Sequence, residues 1–300
     1  MKNRVLVTGG TGFIGSALTR RLMEEGLDVA IVQGPSAKPI PSGCTRIMWK
    51  SNPADFVDSI RNWNPHLIFH LATHFVARHD VRELPNLIDA NVALGTALFE
   101  AAQSTGSAVV ITGSAWQHFD GAEYDPVSLY AATKQALLDI AAYYSQVGVD
   151  IRELSFFDTY GPQDDRGKLI TLLMQAASNG QTLEMSSGEQ LIDLLYVSDA
   201  VEALLSVASL STAANKKPAR FVARSGQSIT VRDLVAEVER AVGNRLSVRW
   251  GVRPSRYREM TRDWVFGEAL PNWGPTIPLR QGLTKCWDDF SHRTLGAGDE

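Results

Sequence analysis

The sequence has few cysteines, little net charge and no long apolar run, and each shortage excludes a class of protein. Cys44 and Cys286 are the two cysteines among 300 residues, too few for a disulfide framework, which predicts a reducing compartment. A formal net charge of −4 argues against a general nucleic-acid surface. No apolar run approaches the length of a membrane span. The first expected strand begins at once, leaving no room for a signal peptide. We therefore expect a cytoplasmic protein that binds neither nucleic acid nor membrane.

The composition supplies enough apolar material for a full enzyme core. Hydrophobic residues make up 44% of the chain and charged residues 21%, as in ordinary globular enzymes. Three hundred residues favour one large domain or two closely joined ones. Apolar strands alternate with helical patterns as far as Gly161. This alternation predicts an α/β, Rossmann-like, doubly wound parallel sheet that is covered by helices on both faces.

Apolar runs and helical periodicity give the expected elements. Strands are predicted at residues 5–7, 29–32, 46–49, 67–71, 108–112, 151–157, 220–223 and 246–250, with extended chain over 183–195. Helices are predicted at residues 13–25, 54–63, 84–102, 128–146, 197–209 and 231–242. The later segments alternate less regularly, which predicts a smaller C-terminal α/β portion.

A glycine-rich stretch at residues 8–15 directly follows the first apolar run. Glycine permits a tight turn and close backbone approach, and the N-terminus of the next helix offers free N–H groups to a phosphate. The spacing fits Gly-x-Gly-x-x-Gly from Gly10 and Gly-x-x-Gly-x-x-Gly from Gly9. Because a strand precedes this turn and a helical pattern follows it, we predict a dinucleotide site rather than a turn without a ligand.

The end of the second strand indicates the form of the dinucleotide, because an acidic residue there accepts hydrogen bonds from the ribose 2′-hydroxyl. That position falls at Gln33, and the loop after it contains Ser36 and Lys38 but no carboxylate. A loop without an acid does not repel a 2′-phosphate and therefore favours NADP(H). The loop also lacks an arginine, so NAD(H) remains open.

Tyr130 and Lys134 lie four residues apart in a predicted helix and therefore share one face. A cation one turn away favours the phenolate and lowers the tyrosine's pKa from about 10, which suits a general acid or base. The alternative is a half-buried tyrosine on an amphipathic helix. Ser114 follows the end of the 108–112 strand, at the sheet edge where such folds bind ligands. A hydroxyl there can bind a substrate oxygen beside the tyrosine, which favours a catalytic site.

The glycine loop, the strand-end serine and Tyr-x-x-x-Lys, in this order, resemble the extended short-chain dehydrogenase/reductase family of the nucleotide-sugar epimerase, dehydratase and reductase type. Further matches are Leu71-Ala72, Asn91-Val-Ala-Leu-Gly-Thr, Thr159-Tyr-Gly-Pro and Asp193-Leu-Leu-Tyr-Val-Ser-Asp. The resemblance covers nearly the whole chain and thins beyond about residue 210. It implies an NAD(P)-binding Rossmann domain over residues 1–158, which also receives 186–210, and a substrate-binding portion over 159–300. It also implies a homodimer through the 84–102 and 128–146 helices.

The resemblance assigns roles to individual residues. Ser114 would orient the substrate oxygen, Tyr130 would be the acid/base, and Lys134 would hold the tyrosine's pKa down and bind the cofactor ribose. The residues expected at the cofactor are Gly9, Thr11, Gly12, Phe13, Ile14, Gly15, Gln33, Ser36, Lys38, Leu71, Ala72, Thr112, Tyr130, Lys134, Phe157 and Thr159. The residues expected at the substrate are Thr73, His74, Trp116, His118, Asp158, Arg256 and Arg258. His66, His70 and His74 recur at intervals of four, but on a strand their side chains face different surroundings, so no metal site is predicted.

Three features suggest which reaction the family member performs. Ala115 and Trp116 stand where the family's dehydratases carry an acidic pair, so dehydration is not expected. The loop after Gln33 favours a reductase over an epimerase that retains NAD. The short interval from Ser114 to Tyr130 resembles 4-keto-6-deoxyhexose reductases of the CDP-abequose and CDP-paratose synthase type. We therefore predict an NADP(H)-dependent reductase of a nucleotide-linked 4-keto-6-deoxyhexose. The alternatives are an NAD-dependent nucleotide-sugar 4-epimerase and a non-catalytic dinucleotide-sensing protein.

Two departures from the family leave the substrate open. Ile192 stands where the family normally carries an arginine that grips the nucleotide diphosphate, and Ser155 replaces a second expected arginine. The tail instead carries Arg253, Arg256, Arg258 and Arg262. Because the arginine fork suits phosphate, one of these could take over the diphosphate. The alternative is that they are solvated surface charges.

Overall fold

The computed structural model describes residues 3–34, 38–49, 52–210 and 216–296. Ser36, which was expected at the cofactor, lies outside these ranges. Across the described residues, none of the helices combines the length and the apolar character that crossing a bilayer requires.

Strands and helices alternate through most of the described chain. The strands are β1 (Arg4–Thr8), β2 (Asp28–Gln33), β3 (Thr45–Met48), β4 (Leu67–His70), β5 (Ala108–Ser114), β6 (Ile151–Phe156), β7 (Asp158–Tyr160), β8 (Leu183–Glu184), β9 (Leu191–Tyr196), β10 (Ala219–Ala223), β11 (Ser228–Thr230), β12 (Val248–Arg249) and β13 (Glu268–Ala269). The α-helices are α1 (Phe13–Glu24), α2 (Pro53–Trp63), α3 (Leu84–Ile88), α4 (Leu94–Thr105), α5 (Leu129–Gln146), α6 (Leu169–Asn179), α7 (Val197–Ser209), α8 (Val231–Val242) and α9 (Leu279–Gly296).

Eight parallel strands form the large sheet, in the order β13-β10-β6-β5-β4-β1-β2-β3. The strand order reverses at β1. The chain first places β2 and β3 on one side of β1 and then places β4, β5 and β6 on the other side. In register, Thr8 at the end of β1 lies opposite Val32 and His70, so these strands end at one edge. Ligands of such sheets bind at this edge, next to the reversal. The predicted doubly wound parallel sheet is confirmed.

Each face of the large sheet buries its own apolar cluster. On one face, Leu6, Ile68 and Ile111 pack with Leu98 and Leu137 from α4 and α5. On the other face, the buried cluster is formed by Val5, Val7, Phe69, Leu18 from α1 and Leu204 from α7. The strands therefore read as nearly continuous apolar runs because both of their faces are covered.

The C-terminal part builds a second, smaller core. β7, β9 and β11 form a three-stranded sheet that packs with α6, α8 and α9 around Tyr160, Leu173 and Leu194. Residues beyond 159 also supply β10 and β13 to the large sheet. The large sheet therefore extends beyond residue 158. The division into a cofactor domain over residues 1–158 and a substrate-binding portion over 159–300 remains a prediction.

The predicted helix over 84–102 is interrupted. α3 and α4 are separated by a π-helical turn at Asp89–Ala93, which contains the buried Asn91. π-turns often occur at functional sites because the extra residue redirects a side chain. The helix α6 was not predicted from the sequence: its N-cap residue, Lys168, makes no side-chain cap, so the usual start signal is absent.

Candidate active site

The glycine loop follows β1 and leads directly into α1. Gly12 is the N-cap of α1, and no side chain caps the helix there. Its backbone N–H donates to the Gly9 carbonyl at 2.9 Å. Gly9 has a φ of +68°, and a Cβ on it would lie 2.8 Å from the Ala72 nitrogen. A Cβ on Gly15 would lie 2.0 Å from the Gly9 oxygen. Glycine is therefore required at both positions, and the uncapped helix N-terminus fits the pyrophosphate of a dinucleotide.

Buried polar contacts hold the neighbouring strand end in place. The Ala72 N–H donates to Thr8 Oγ1 at 3.0 Å, and the same oxygen lies 2.8 Å from His70 Nδ1. His70 is fully buried, and burial lowers its pKa to about 3. His70 is therefore a neutral structural side chain that fixes the strand ends around the glycine loop.

The low pKa of His70 predicts how the free energy of unfolding changes with pH. Because the pKa of His70 is about 3 in the folded protein and that of an unperturbed histidine is 6.5, the unfolded chain binds the proton first. The contribution of His70 is complete above pH 6.5 and is lost progressively as the pH falls toward 3. Urea unfolding between pH 7 and pH 4.5 should show a shallower pH dependence for His70→Gln than for the parent, by up to about 1.4 kcal/mol per pH unit.

The matched control is His66→Gln, which removes an exposed histidine just before β4. The difference between the two variants isolates His70 from the carboxylates that also titrate in this range. If His70→Gln keeps the parent's pH dependence, His70 is not held neutral in the folded protein.

Ser114 and Tyr130 meet at the carboxyl end of β5. The Ser114 backbone is extended, its N–H donates to Gln117 Oε1 at 2.9 Å, and its Oγ accepts from the Trp116 N–H at 3.3 Å. Tyr130 lies in the first turn of α5, which Ser128 caps. The side chains of Ser114 and Thr73 lie near the Tyr130 hydroxyl, where their hydrogen-bonding groups act to lower its pKa. The structure thus brings two of the three predicted catalytic residues into contact.

Lys134, one turn further along α5, is buried and bonds to the end of β5. Its Nζ donates to the Thr112 carbonyl at 2.9 Å and to Thr112 Oγ1 at 3.3 Å. Burial lowers the pKa of Lys134 to about 8. Burial raises the pKa of Tyr130 to about 12, and its hydrogen bonds with Thr73 and Ser114 oppose that rise. Tyr130 is therefore protonated at neutral pH, the state of a general acid. The sequence predicted a lowered tyrosine pKa, whereas burial raises it, and a lowering contribution from Lys134 stays a prediction.

Asn91 links the loop after β4 to α5, a role that we did not predict. Its Oδ1 accepts from Thr73 Oγ1 at 2.9 Å and from the His74 N–H at 2.7 Å. Its Nδ2 donates to the His74 carbonyl at 3.1 Å and to Thr133 Oγ1 at 2.9 Å. All four hydrogen-bonding positions of the amide are used, which fixes Thr73 against Tyr130. The sequence signal that could have revealed this role is that Asn91 is a polar residue among the apolar positions of the predicted helix.

Aromatic and charged side chains lie around the Tyr130 ring. Phe75 is 42% exposed, and its ring lies edge-on to Tyr130 at 5.0 Å and to Trp116 at 5.3 Å between centroids. Lys168 Nζ lies 5.2 Å from the Phe75 ring centroid and 3.0 Å from Asp158 Oδ1. Phe75 and Lys168 therefore connect Trp116 and Asp158, two of the predicted substrate residues, to Tyr130. Phe75 and Lys168 were not predicted.

The other residues predicted to bind substrate have varied surroundings. His74 pairs with Glu83. His118 is buried, with its ring stacked on Phe266 at 4.0 Å and its Nδ1 3.1 Å from the Ala122 carbonyl. Arg256 is exposed. Arg258 pairs with Asp125 and lies over the Phe119 ring at 4.2 Å. Arg258 would have to leave these partners to bind a phosphate, so the substrate roles of these four residues stay predictions.

Two arginines beside predicted cofactor residues were not predicted from the sequence. The Arg166 guanidinium lies 4.2 Å from the Phe13 ring centroid and donates to the Thr159 carbonyl at 2.8 Å. The Arg224 guanidinium lies 4.6 Å from the Phe157 ring centroid and donates to Asp193 at 2.9 Å. The ring contacts join Arg166 to Phe13 and Arg224 to Phe157, which are distant in sequence, so spacing alone did not reveal them.

At the predicted ribose end, the Gln33 amide donates to the Lys38 carbonyl at 2.5 Å. Lys38 in turn pairs with Asp165. The loop after β2 is therefore tied to the segment after β7, and both predicted residues lie at the ligand-binding edge of the sheet.

Known proteins share this arrangement of sequence and structure. Residues 5–221 match the NAD dependent epimerase/dehydratase family. CDP-abequose synthase from Yersinia pseudotuberculosis is 26% identical over 257 residues, which cover 85% of this chain and 89% of that protein. UDP-glucose 4-epimerase from Mycolicibacterium smegmatis is 26% identical over 317 residues, covering 97% and 99%. The solved structure of MoeE5 in complex with UDP-glucose and NAD is 27% identical, with a TM-score of 0.79, over 97% of this chain and 99% of that chain.

Proposed function

The chain belongs to the NAD dependent epimerase/dehydratase family, and from this premise we propose that it reduces the 4-keto group of a nucleotide-linked 6-deoxyhexose. The observation that carries the proposal is the proximity of Ser114 to the Tyr130 hydroxyl at the end of β5, with Lys134 one helical turn away. This pair lies at the same sheet edge as the glycine loop. A protonated tyrosine beside a dinucleotide site is suited to reduction of a carbonyl group.

The dinucleotide, when bound, supplies the hydride. Gly9, Gly12 and Gly15 shape the loop that would hold its pyrophosphate, as the space around them requires. Tyr130 would donate its proton to the carbonyl oxygen of the sugar, since its raised pKa keeps it protonated before reaction. Ser114 would hold that oxygen in line with the phenol. Such positioned proton donation contributes about 10²–10⁴-fold to rate.

We infer that NADP(H) is the preferred dinucleotide, with NAD(H) as the alternative. Gln33 ends β2 without the carboxylate that binds a ribose 2′-hydroxyl and repels a 2′-phosphate. Lys38 is close to this position and more than half exposed. MoeE5, by contrast, was solved with NAD. Comparing kcat/KM for NADPH and NADH decides between the two forms.

One assay separates the candidate reactions. With a nucleotide-linked 4-keto-6-deoxyglucose, a reductase consumes one NADPH per sugar and releases a 4-hydroxy product. The 4-epimerase alternative, favoured by the likeness to UDP-glucose 4-epimerase, would interconvert UDP-glucose and UDP-galactose with no net change in the dinucleotide. A sensing protein would bind the dinucleotide and turn over neither substrate. CDP-, dTDP- and UDP-linked sugars should be compared, because the nucleotide is not specified by the residues that carry the chemistry.

We also propose a homodimer through the helices that follow β4 and β5. Ile88 on α3 and Tyr143 on α5 are 53% and 60% exposed, and Leu84 and Val147 continue this apolar face. A second copy would bury the face by pairing α3, α4 and α5 of both chains. Sedimentation at micromolar concentration should show a dimer for the parent and a monomer for Ile88→Glu/Tyr143→Glu. Val252→Glu, at another exposed apolar position, should remain dimeric. A parent that sediments as a monomer would refute the proposal.

A further inference from the structure

A buried carboxylate lies on β6, next to the end of β5 that carries Ser114. Glu153 is in the middle of β6, is 2% exposed, and lies between Ile111 of β5 and Arg220 of β10 in register. Its Oε2 accepts from Arg220 Nε at 2.6 Å, and its Oε1 accepts from Ser155 Oγ at 3.2 Å. Burying an ionised carboxylate is costly unless it is paired and hydrogen-bonded. Both of its oxygens have such partners.

Gly113 makes room for this carboxylate. A Cβ on Gly113 would lie 2.0 Å from Glu153 Oε1 and 2.2 Å from Ser155 Oγ. The carboxylate therefore occupies the space that any other residue at position 113 would fill. Gly113 lies between Thr112, which binds Lys134, and Ser114, which binds Tyr130. The negatively charged Glu153 carboxylate therefore lies against the part of β5 that includes Thr112 and Ser114.

Three charged or titratable groups face Glu153 from the elements around it. Arg220 comes from β10, Lys134 from α5, and His118 from the loop after β5. Burial lowers the pKa of Lys134, and the attraction of Glu153 opposes that effect. The hydrogen-bond acceptors of Lys134 Nζ are the neutral oxygens of Thr112. Glu153 is therefore a carboxylate whose attraction favours the charged form of Lys134.

We propose that Glu153 is a positioning residue of the active site: held by Arg220 and Ser155 in the space beneath Gly113, its carboxylate keeps Lys134 cationic and bonded to Thr112. A cationic Lys134 can hold a ribose hydroxyl and favour proton release from Tyr130 through space. This inference rests on the proposed function for its catalytic consequence. The alternative is that Glu153 and Arg220 only tie β6 to β10.

The titration of Lys134 distinguishes these two roles. The whole chain is labelled with ¹³Cε-lysine, saturated with NADP⁺, and titrated by NMR, with the Lys134 signal assigned through Lys134→Arg. The Lys134 midpoint in Glu153→Gln should fall below that of the parent by about one pH unit or more, as expected when a nearby opposite charge is removed. Glu153→Asp, which keeps the charge, should restore a midpoint close to that of the parent.

Glu153→Gln leaves Arg220 without its partner and could unfold the protein. The double variant Glu153→Gln/Arg220→Gln removes both charges and keeps the two side chains neutral. Its Lys134 midpoint should also lie below that of the parent, although the decrease should be smaller than in the single variant. A purely structural tie would lower thermal stability and leave the midpoint of Lys134 unchanged in both variants, which would overturn the proposal.

The titration is read without turnover, so it is independent of the substrate. If the midpoint moves but the parent reduces no nucleotide sugar, the proposed function fails and the link between Glu153 and Lys134 stands. If the parent is an active reductase, the alkaline limb of its kcat–pH profile should move to lower pH in Glu153→Gln together with the Lys134 midpoint. An alkaline limb that stays in place would show that Glu153 does not act on the reaction through Lys134.

Discussion

Tyr130→Phe is expected to lower kcat by about 10²–10⁴-fold, because it removes the proton donor and leaves the ring in place. The ring of Tyr130 packs edge-on against Phe75, and this contact does not involve the hydroxyl. Folding and dinucleotide binding should therefore survive. The lost hydroxyl partners are Ser114 and Thr73. Thr73 keeps its hydrogen bond to Asn91, and Ser114 keeps its bond with the Trp116 N–H.

The chain offers a matched control for this substitution. Tyr143 lies on the same helix, α5, and is 60% exposed. Tyr143→Phe should therefore keep the parent's kcat. The measurement is steady-state turnover of each purified variant with the dinucleotide and substrate established for the parent, together with dinucleotide affinity by calorimetry. A Tyr130→Phe variant that keeps more than about a tenth of the parent's kcat would show that Tyr130 is not the general acid.

Gly15→Ala is expected to abolish measurable dinucleotide binding and to destabilise the fold. A Cβ at this position would lie 2.0 Å from the Gly9 oxygen and 2.7 Å from the Gly9 carbonyl carbon. Both atoms belong to the backbone, so the loop and α1 must move apart rather than a side chain rotate. Overpacking of this kind costs about 1–3 kcal/mol of folding free energy. The same movement opens the loop where the pyrophosphate would sit.

Gly274→Ala is the matched control, because a Cβ there meets no atom within 4 Å and its φ is not in the left-handed region. Calorimetric titration with NADH and NADPH and thermal unfolding should be measured for both variants. We expect the control to match the parent in both measurements. If Gly15→Ala binds the dinucleotide as tightly as the parent, the cofactor does not lie on this loop.

The sequence was most informative where the chemistry depends on neighbouring residues. The glycine loop could be found because strand, turn and helix follow one another within residues 4–24. Tyr130 and Lys134 could be paired because helical periodicity puts residues four apart on one face. Ser114 could be placed at the sheet edge because β5 ends there.

Contacts between distant segments could not be obtained in this way. Asn91 appeared as part of a helix motif, but its role depends on a π-helical turn that brings it against His74 and Thr133. Lys168 reaches Phe75 across more than ninety positions of the chain. Glu153 is one of three polar residues in β6, and its role depends on contacts with Arg220 of β10 and with the space beneath Gly113 of β5.

The arginines of the C-terminal tail also have partners that the sequence alone does not reveal. Their number suggested a phosphate site, because sequence reveals charge but not its partner. In the structure, Arg258 pairs with Asp125 and Arg262 pairs with Asp120, both in the loop between Ser114 and Tyr130. These pairs hold the tail against the loop that follows Ser114.

The most direct test of the proposed reaction follows the hydride itself. The parent protein is incubated with a nucleotide-linked 4-keto-6-deoxyglucose and NADPH or NADH deuterated at nicotinamide C4, using each C4 stereoisomer, and the sugar is analysed by mass spectrometry and NMR. We predict a 4-hydroxy product with deuterium at C4 of the sugar from one stereoisomer, and no such product from Tyr130→Phe within the same time. A parent protein that binds the dinucleotide but places no deuterium at C4 of any nucleotide-linked sugar would contradict the proposal.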